Sequence, residues 1–151
     1  DDPSAALPYI AVGLEATAGT EDEDLLKGRN RLEIVQALAM GDGERAADLK
    51  RDALPEGWDE DPAELNSFAW WCFEHEVNLE EAETLARSGA ELAEDGKETA
   101  MILDTVAEIV NLRGDREEAV ALIREAIEHD PESDYFKQQL DRFQGILPET
   151  M

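Results

Sequence analysis

The chain is poor in positive charge. Its 151 residues include 13 Lys and Arg against 38 Asp and Glu, which gives a formal net charge of −25 at neutral pH. Nucleic acids and anionic membranes are bound through clustered Lys and Arg side chains, so this balance argues against both as direct partners. Charge of this size keeps a protein soluble and attracts cationic partners, although it opposes compaction. A solvated acidic surface, suited to high salt, is the simplest interpretation.

Cysteine and long apolar runs are also scarce. Cys72 is the single cysteine, which excludes an internal disulfide and a cysteine-rich metal framework. No apolar run approaches the roughly 18 residues that a membrane-spanning helix needs. The chain starts at Asp1 without a Met or a signal-like segment, so we expect a fragment or a processed product.

Motifs for catalysis or cofactor binding are missing as well. The sequence has no phosphate-binding loop, nucleophile elbow or zinc-protease motif. The acidic runs at 21–24 and 59–61 lack the spaced ligands and central Gly of a calcium loop. Cys72 and His75 lie three residues apart, but two ligands do not make a zinc site, and the apolar surroundings favour a buried, inert thiol. We predict a non-catalytic chain without cofactor or metal.

Helix start signals are abundant. Asp61 precedes Pro62, and Asn78 and Asp115 each precede a run with Glu three residues later, an arrangement typical of helix N-termini. Asp130, followed by Pro131, is expected to open the last helix.

Helix stop signals are equally clear, since Gly96 and Gly114 stand where helices are expected to end. No stretch alternates as a strand would. The sequence therefore predicts an all-α fold with seven or eight helices. Their expected positions are about 4–17, 21–40, 43–54, 62–76, 79–94, 99–113, 115–129 and 132–144.

The second half of the chain repeats itself. Residues 103–110 read Leu-x-x-Val-Ala-x-x-Val and are followed by Gly114, by Ala-x-x-x-Ile-x-x-Ala at 119–126, and by Pro131. Ala107 and Ala119 are small enough to let paired helices approach closely. A looser copy reads Leu-x-x-Phe-Ala-x-x-Cys at 65–72 and Ala-x-x-x-Ala-x-x-Gly at 82–89. This pattern resembles the tetratricopeptide repeat (TPR).

The resemblance implies a right-handed stack of antiparallel helix hairpins in one domain, 1–151. Residues 1–57 would form degenerate N-terminal helices, 62–131 two recognisable repeats, and 132–144 a capping helix. The capping helix carries an apolar stripe expected to cover the last repeat: Tyr135, Phe136, Leu140 and Phe143.

In this family the first helix of each hairpin lines a concave surface. The residues that the resemblance places there, and that we predict to bind a partner, are Asn66, Trp70, Phe73, Asp104, Glu108 and Asn111. An aromatic pair beside amides and carboxylates suits an extended peptide. Because cations are nearly absent from these positions, the expected partner is a neutral or basic protein segment, or an adjacent domain of the parent chain. Alternatively, Trp70 and Phe73 pack under Trp58 or an earlier helix.

Two other functions remain open. Residues 65–70 and 103–107 are similar to the helical tails that follow thioredoxin-like domains in some exported bacterial proteins. That resemblance implies a structural or dimerising tail without a ligand of its own, outside the cytoplasm. The third interpretation is an acidic mimic that occupies basic proteins through charge alone. An interaction or scaffolding module is the function that we expect.

Overall fold

The computed structural model describes residues 3–146, which form α-helices without a strand among them. They divide into two compact units. The first contains the described residues up to Glu56 together with His75–Asn78, and the second contains Gly57–Glu74 and the described residues from Leu79 onwards. The division falls at the segment 55–60, which separates the less regular half of the sequence from the repetitive half.

All eight predicted helices are confirmed. In the first unit a short 3-10 turn, Pro3–Ala6, leads into α1 (Leu7–Ala16), which is followed by α2 (Glu23–Ala39) and α3 (Gly43–Asp52). In the second unit a 3-10 turn, Trp58–Glu60, precedes the remaining five helices. These are α4 (Pro62–His75), α5 (Leu79–Leu92), α6 (Gly96–Leu112), α7 (Arg116–His129) and α8 (Asp134–Phe143).

The N-caps explain where several helices begin. The Asp61 carboxylate accepts hydrogen bonds from the backbone N–H groups of Ala63 (2.9 Å) and Glu64 (3.2 Å), as its position before Pro62 predicts. The Asp115 carboxylate likewise accepts from the N–H of Glu118 at 3.0 Å. Each bond satisfies a donor that the first turn of a helix leaves unpaired.

Two boundary predictions are wrong. Gly96 begins α6 rather than ending α5, because the Asp95 carboxylate caps the helix by accepting from the N–H groups of residues 97 and 98. The backbone of Gly96 also lies so close to α7 that a Cβ there would be 3.1 Å from the His129 carbonyl oxygen. Asp130 ends α7 instead of opening α8, whose N-cap is Ser133. Gly114, with a φ of +99°, follows α6 as predicted.

Small residues form the contacts between helices in the second unit. The two alanines predicted at helix crossings, Ala107 and Ala119, are completely buried. A Cβ at Gly89 of α5 would lie 3.3 Å from both the Leu65 Cβ and the Pro62 carbonyl oxygen at the start of α4. The end of α5 therefore meets the start of α4, so these two helices run antiparallel.

An ion-pair cluster joins the next three helices at the surface. Arg87 of α5 donates to the Glu83 carboxylate at 2.9 Å and to the Glu118 carboxylate of α7 at 2.6 Å. Arg113, directly after α6, donates to the other oxygen of Glu83. Because these groups are partly exposed, we expect the cluster to orient the helices more than to stabilise them.

The core of the first unit is small. It consists mainly of the side chains of Ile10, Ile34, Ala37, Ala46 and Ala47.

Glu76 and Asn78 have positive φ angles of 53° and 47°, although neither is a glycine. The side chain of Val77, between them, packs so closely on α3 that a Cβ at Gly43 would lie 2.5 Å from its Cγ1 atom.

Two Gly→Ala substitutions in the first unit should have opposite effects on stability, because Gly43 lies against Val77 and Gly28 has open space beside it. Gly43→Ala forces the branched Val77 side chain or its backbone to move, so we expect a loss of about 1–3 kcal/mol. Gly28→Ala, in the middle of α2, meets no atom within 4 Å and should stabilise by roughly 0.5–1 kcal/mol through helix propensity. Urea unfolding followed by circular dichroism measures both. Two variants that change stability in the same direction would contradict the contact.

Candidate partner-binding surface

Aromatic residues occupy two separate places on α4. The Trp70 and Phe73 rings form a tilted pair with centroids 5.0 Å apart, and both side chains are partly exposed. On another side of the helix, the buried Phe68 ring lies 5.9 Å from the Trp58 ring and 6.4 Å from the Trp71 ring. The stacking partner of Trp58 is therefore Phe68. Trp70 and Phe73 form a pair of their own.

Asn66 lies one helical turn before Trp70 and shares its face of α4. Its side-chain Oδ1 is buried, and no donor within residues 3–146 reaches it. A buried acceptor without a partner costs roughly 1–3 kcal/mol compared with a satisfied one. A donor supplied from outside the chain would recover this cost once the amide faces it. We call Asn66, Trp70 and Phe73 the α4 surface.

The predicted residues of α6 lie in a different environment. Asp104 is 3 % exposed and Glu108 is 8 % exposed, and side chains of α8 contact both of them. The Tyr135 hydroxyl donates to one carboxylate oxygen of Asp104 at 2.8 Å, and the Gln139 amide donates to the other at 3.2 Å. Side chains of α8 thus cover the two α6 carboxylates that the sequence predicts to bind a partner.

The same amide and a guanidinium complete a polar network between α6 and α8. The Gln139 amide also donates to the Glu108 carboxylate at 3.1 Å. Arg142 donates from Nε to the Gln139 side-chain oxygen at 2.8 Å and from Nη2 to the Glu108 carboxylate. Two buried carboxylates are therefore matched by one cation and two neutral donor groups, the Tyr135 hydroxyl and the Gln139 amide.

This environment changes the acidity of two groups. Burial raises the pKa of Asp104 to about 6; the hydrogen bond from Tyr135 opposes this rise, and the negative charge of Glu108 adds to it. Burial and the neighbouring Asp104 carboxylate raise the pKa of Tyr135 above its ordinary value. Asp104 therefore gains and loses its proton near pH 6, well above the range of an ordinary aspartate.

The sequence did not identify the α8 members of this network. Tyr135 was expected in the apolar stripe with Phe136 and Phe143, which are indeed buried. Instead it is 47 % exposed, and its hydroxyl reaches α6. The sequence does contain a signal for a polar face on α8, because Tyr135, Gln139 and Arg142 are spaced i, i+4 and i+7 and so share one side of the helix.

The remaining predicted residue, Asn111, lies in the last turn of α6 and is partly exposed. Its backbone oxygen accepts from the N–H group of Gly114 at 3.0 Å, just after the end of the helix. Across residues 3–146, no side-chain hydrogen bond, ion pair or ring contact joins it, Asp104 or Glu108 to the α4 surface. No such interaction therefore joins the six predicted residues into one cluster within the described part of the chain.

Three further features concern a thiol, possible metal ligands and membrane-spanning segments. Cys72 is completely buried in α4, as predicted. No three His, Cys, Asp or Glu side chains of residues 3–146 are placed to hold a metal ion together. None of the helices that the structure describes has the length and apolar character to span a membrane.

Comparisons of the chain with protein-family models, with curated proteins and with solved structures found no match.

Proposed function

We propose that this chain is a non-catalytic interaction module that binds a neutral-to-basic protein segment, or docks a domain of its parent chain, through the α4 surface. The proposal includes a TPR-type architecture for the second unit, in which α4 pairs with α5, α6 pairs with α7, and α8 caps the second hairpin. Its support is the partly exposed Trp70–Phe73 pair beside the unpaired Asn66 oxygen.

Packing supports the architectural part of the proposal. The small residues at the repeat positions of both hairpins are completely buried: Ala69, Ala82, Ala86, Ala107, Ala119 and Ala126. The start of α6 lies against the end of α7, as the contact between Gly96 and His129 requires, so this pair is antiparallel like α4 and α5. A repeat array also needs a terminal element that covers its last repeat, and α8 would serve as that element.

Chemistry and charge define the partner. Rigid aromatic rings bury a large area at a small entropic cost, which is why Trp is enriched among the residues that dominate binding energies. The Asn66 oxygen is buried, so it can accept from a main-chain N–H or a basic side chain of the partner once the amide turns outward. Glu74 is exposed one turn after Trp70, and it adds a carboxylate for a Lys or Arg lying over the ring. The net charge of −25 attracts such segments.

The test uses random peptides displayed on phage and selected against the immobilised chain. We expect the selected peptides to be neutral or basic. Trp70→Ala should weaken their binding by about 2 kcal/mol, or roughly thirtyfold in Kd, while leaving the melting temperature nearly unchanged. Met101→Ala, which truncates an exposed apolar side chain of α6, is the matched control and should bind like the parent. Selected peptides that bind Trp70→Ala equally well would contradict the proposal.

One observation favours the rival function of a structural or dimerising tail. Because α8 covers Asp104 and Glu108, these carboxylates are not available to an external partner while α8 is bound. If Trp70→Ala unfolds the second unit, Trp70 belongs to the core and the structural function replaces ours. A thioredoxin-like pattern in the parent sequence ahead of Asp1 would favour the same conclusion.

A further inference from the structure

Helix α1 and the turn before it form the longest stretch of the chain without a charged side chain. Residues 3–14 contain no Asp, Glu, Lys or Arg, although these four residue types make up 34 % of the sequence. The next longest such stretch, 65–73, supplies four buried residues of α4. In residues 3–14 only Ile10 is buried, so most of this uncharged stretch faces solvent.

Helix α1 has apolar residues on two sides. One side packs on α2, where a Cβ at Gly13 would lie 2.8 Å from the Leu32 Cδ1 atom. A second side has apolar residues at intervals of four, three and four positions, the spacing with which helices pack on one another: Ala5, Tyr9, Val12 and Ala16. Tyr9 is 81 % exposed and Val12 is 66 % exposed, and both alanines are exposed as well. We call these four residues the α1 stripe.

Charge decides which kind of surface suits the α1 stripe. The stripe offers no charge to a basic or an acidic segment, so its partner must present an apolar surface of its own. Glu15 is the single charged side chain in residues 3–20, whereas the whole chain carries a net charge of −25. Two copies of this chain would therefore repel each other least if they met through α1.

The order of residues in the α1 stripe also fits a two-fold axis. In an antiparallel pair of α1 helices centred between residues 10 and 11, Tyr9 faces Val12 of the second copy. Ala5 then faces Ala16 of the second copy at each end. The large side chains meet near the axis and the small ones meet away from it. Such a patch is complementary to itself, which is what a two-fold symmetric interface requires.

From this match we propose that the α1 stripe is the interface of a homodimer, in which two copies of the chain pair through antiparallel α1 helices. The stripe is about 17 Å long at roughly 1.5 Å per residue. It is therefore smaller than the roughly 800 Å² per partner of a typical stable complex, and we expect a weak dimer with a Kd of about 0.1 mM. This interface does not depend on binding at the α4 surface.

Sedimentation equilibrium of the full chain, from about 10 μM to about 1 mM, measures the dimer. The average mass should rise from that of a 16.8 kDa monomer towards twice this value. Val12→Glu places two like charges beside the axis and should raise the Kd at least tenfold, while its circular dichroism stays that of the parent. Met101→Glu adds the same charge at an exposed apolar position of α6 and should dimerise like the parent.

Cross-linking tests which residues meet across the dimer. The variants Ala5→Cys and Ala16→Cys are mixed and treated with a bismaleimide that spans roughly 8–10 Å, the distance between packed helix axes. We expect a cross-link between the two variants. Each variant alone should cross-link weakly, because two copies of either position lie about 17 Å apart along the axis of the proposed dimer. Cys72 does not compete, because it is completely buried.

The salt dependence separates this dimer from binding driven by charge. Because both copies carry a charge of −25, the Kd of the dimer should fall as added salt screens their repulsion. A Kd that rises with salt would overturn the proposal, as would an average mass that stays at the monomer value up to about 1 mM. The proposal is also overturned if Val12→Glu and Met101→Glu dimerise alike, or if each cysteine variant alone cross-links as readily as the mixture.

Discussion

Arg142→Met should destabilise the second unit by about 3 kcal/mol, because it leaves the Glu108 carboxylate buried without its cation. The Glu108 side chain is 11 % exposed and that of Arg142 is 22 % exposed, so water replaces little of the lost interaction. Asp104, one turn away on α6, adds a second carboxylate to the same region. Methionine keeps much of the length and apolar contact of the arginine stem.

The measurement is urea unfolding followed by tryptophan fluorescence. All three tryptophans, Trp58, Trp70 and Trp71, belong to the second unit, so their emission reports on that unit alone. The control is the double variant Arg142→Met with Glu108→Gln, which removes the orphaned charge and should recover part of the loss. A single variant within about 0.5 kcal/mol of the parent would show that α8 is not held by this pair.

The stability of the Asp104→Asn variant, relative to that of the parent, should increase as the pH rises. The pKa of Asp104 is about 6 in the folded chain against an ordinary value of 3.8. The folded chain therefore binds more protons than the unfolded chain between these values. The stability that the folded chain gains from protonated Asp104 is complete below the pKa of the unfolded chain. It is lost as the pH rises through about 6. In full it corresponds to about 3 kcal/mol, at roughly 1.4 kcal/mol for each pH unit between the two pKa values.

The pH effect is measured as the difference in unfolding free energy between the variant and the parent. Between pH 8 and pH 5 this difference should change by about 1.4 kcal/mol, with the parent gaining on the variant in acid. Asp59→Asn makes the same change in charge at an exposed position of the second unit. The difference between its unfolding free energy and that of the parent should not change with pH. Parallel curves for Asp104→Asn and the parent would show that Asp104 keeps an ordinary pKa.

Local signals predicted most of the helices because their causes are local. An Asp before a helix caps it with its own carboxylate, whatever lies further along the chain, so Asp61 and Asp115 were recognisable from sequence. Alanines at helical spacing predicted the buried positions Ala107 and Ala119, since a helix crossing needs small residues there. These features depend on neighbours within a few residues or on the period of one helix.

The features that were missed depend on contacts between distant residues. Local rules predict a helix stop at Gly96 because glycine usually ends helices. Here the close approach of the His129 oxygen explains why a residue without a side chain stands at this position. The burial of Asp104 was missed because it depends on Tyr135, 31 positions further along the chain. A carboxylate pair on one helix face looks solvated until the covering helix is known.

The central claim is that Trp70 belongs to a binding surface, and its indole N–H resonance tests this most directly. The three tryptophans give three indole cross-peaks, which Trp→Phe variants assign. On titration with a selected basic peptide, we predict that the Trp70 cross-peak shifts, while those of Trp58 and Trp71, which lie against Phe68, stay in place. If the Trp70 cross-peak stays fixed while the peptide binds, the α4 surface is not where partners bind.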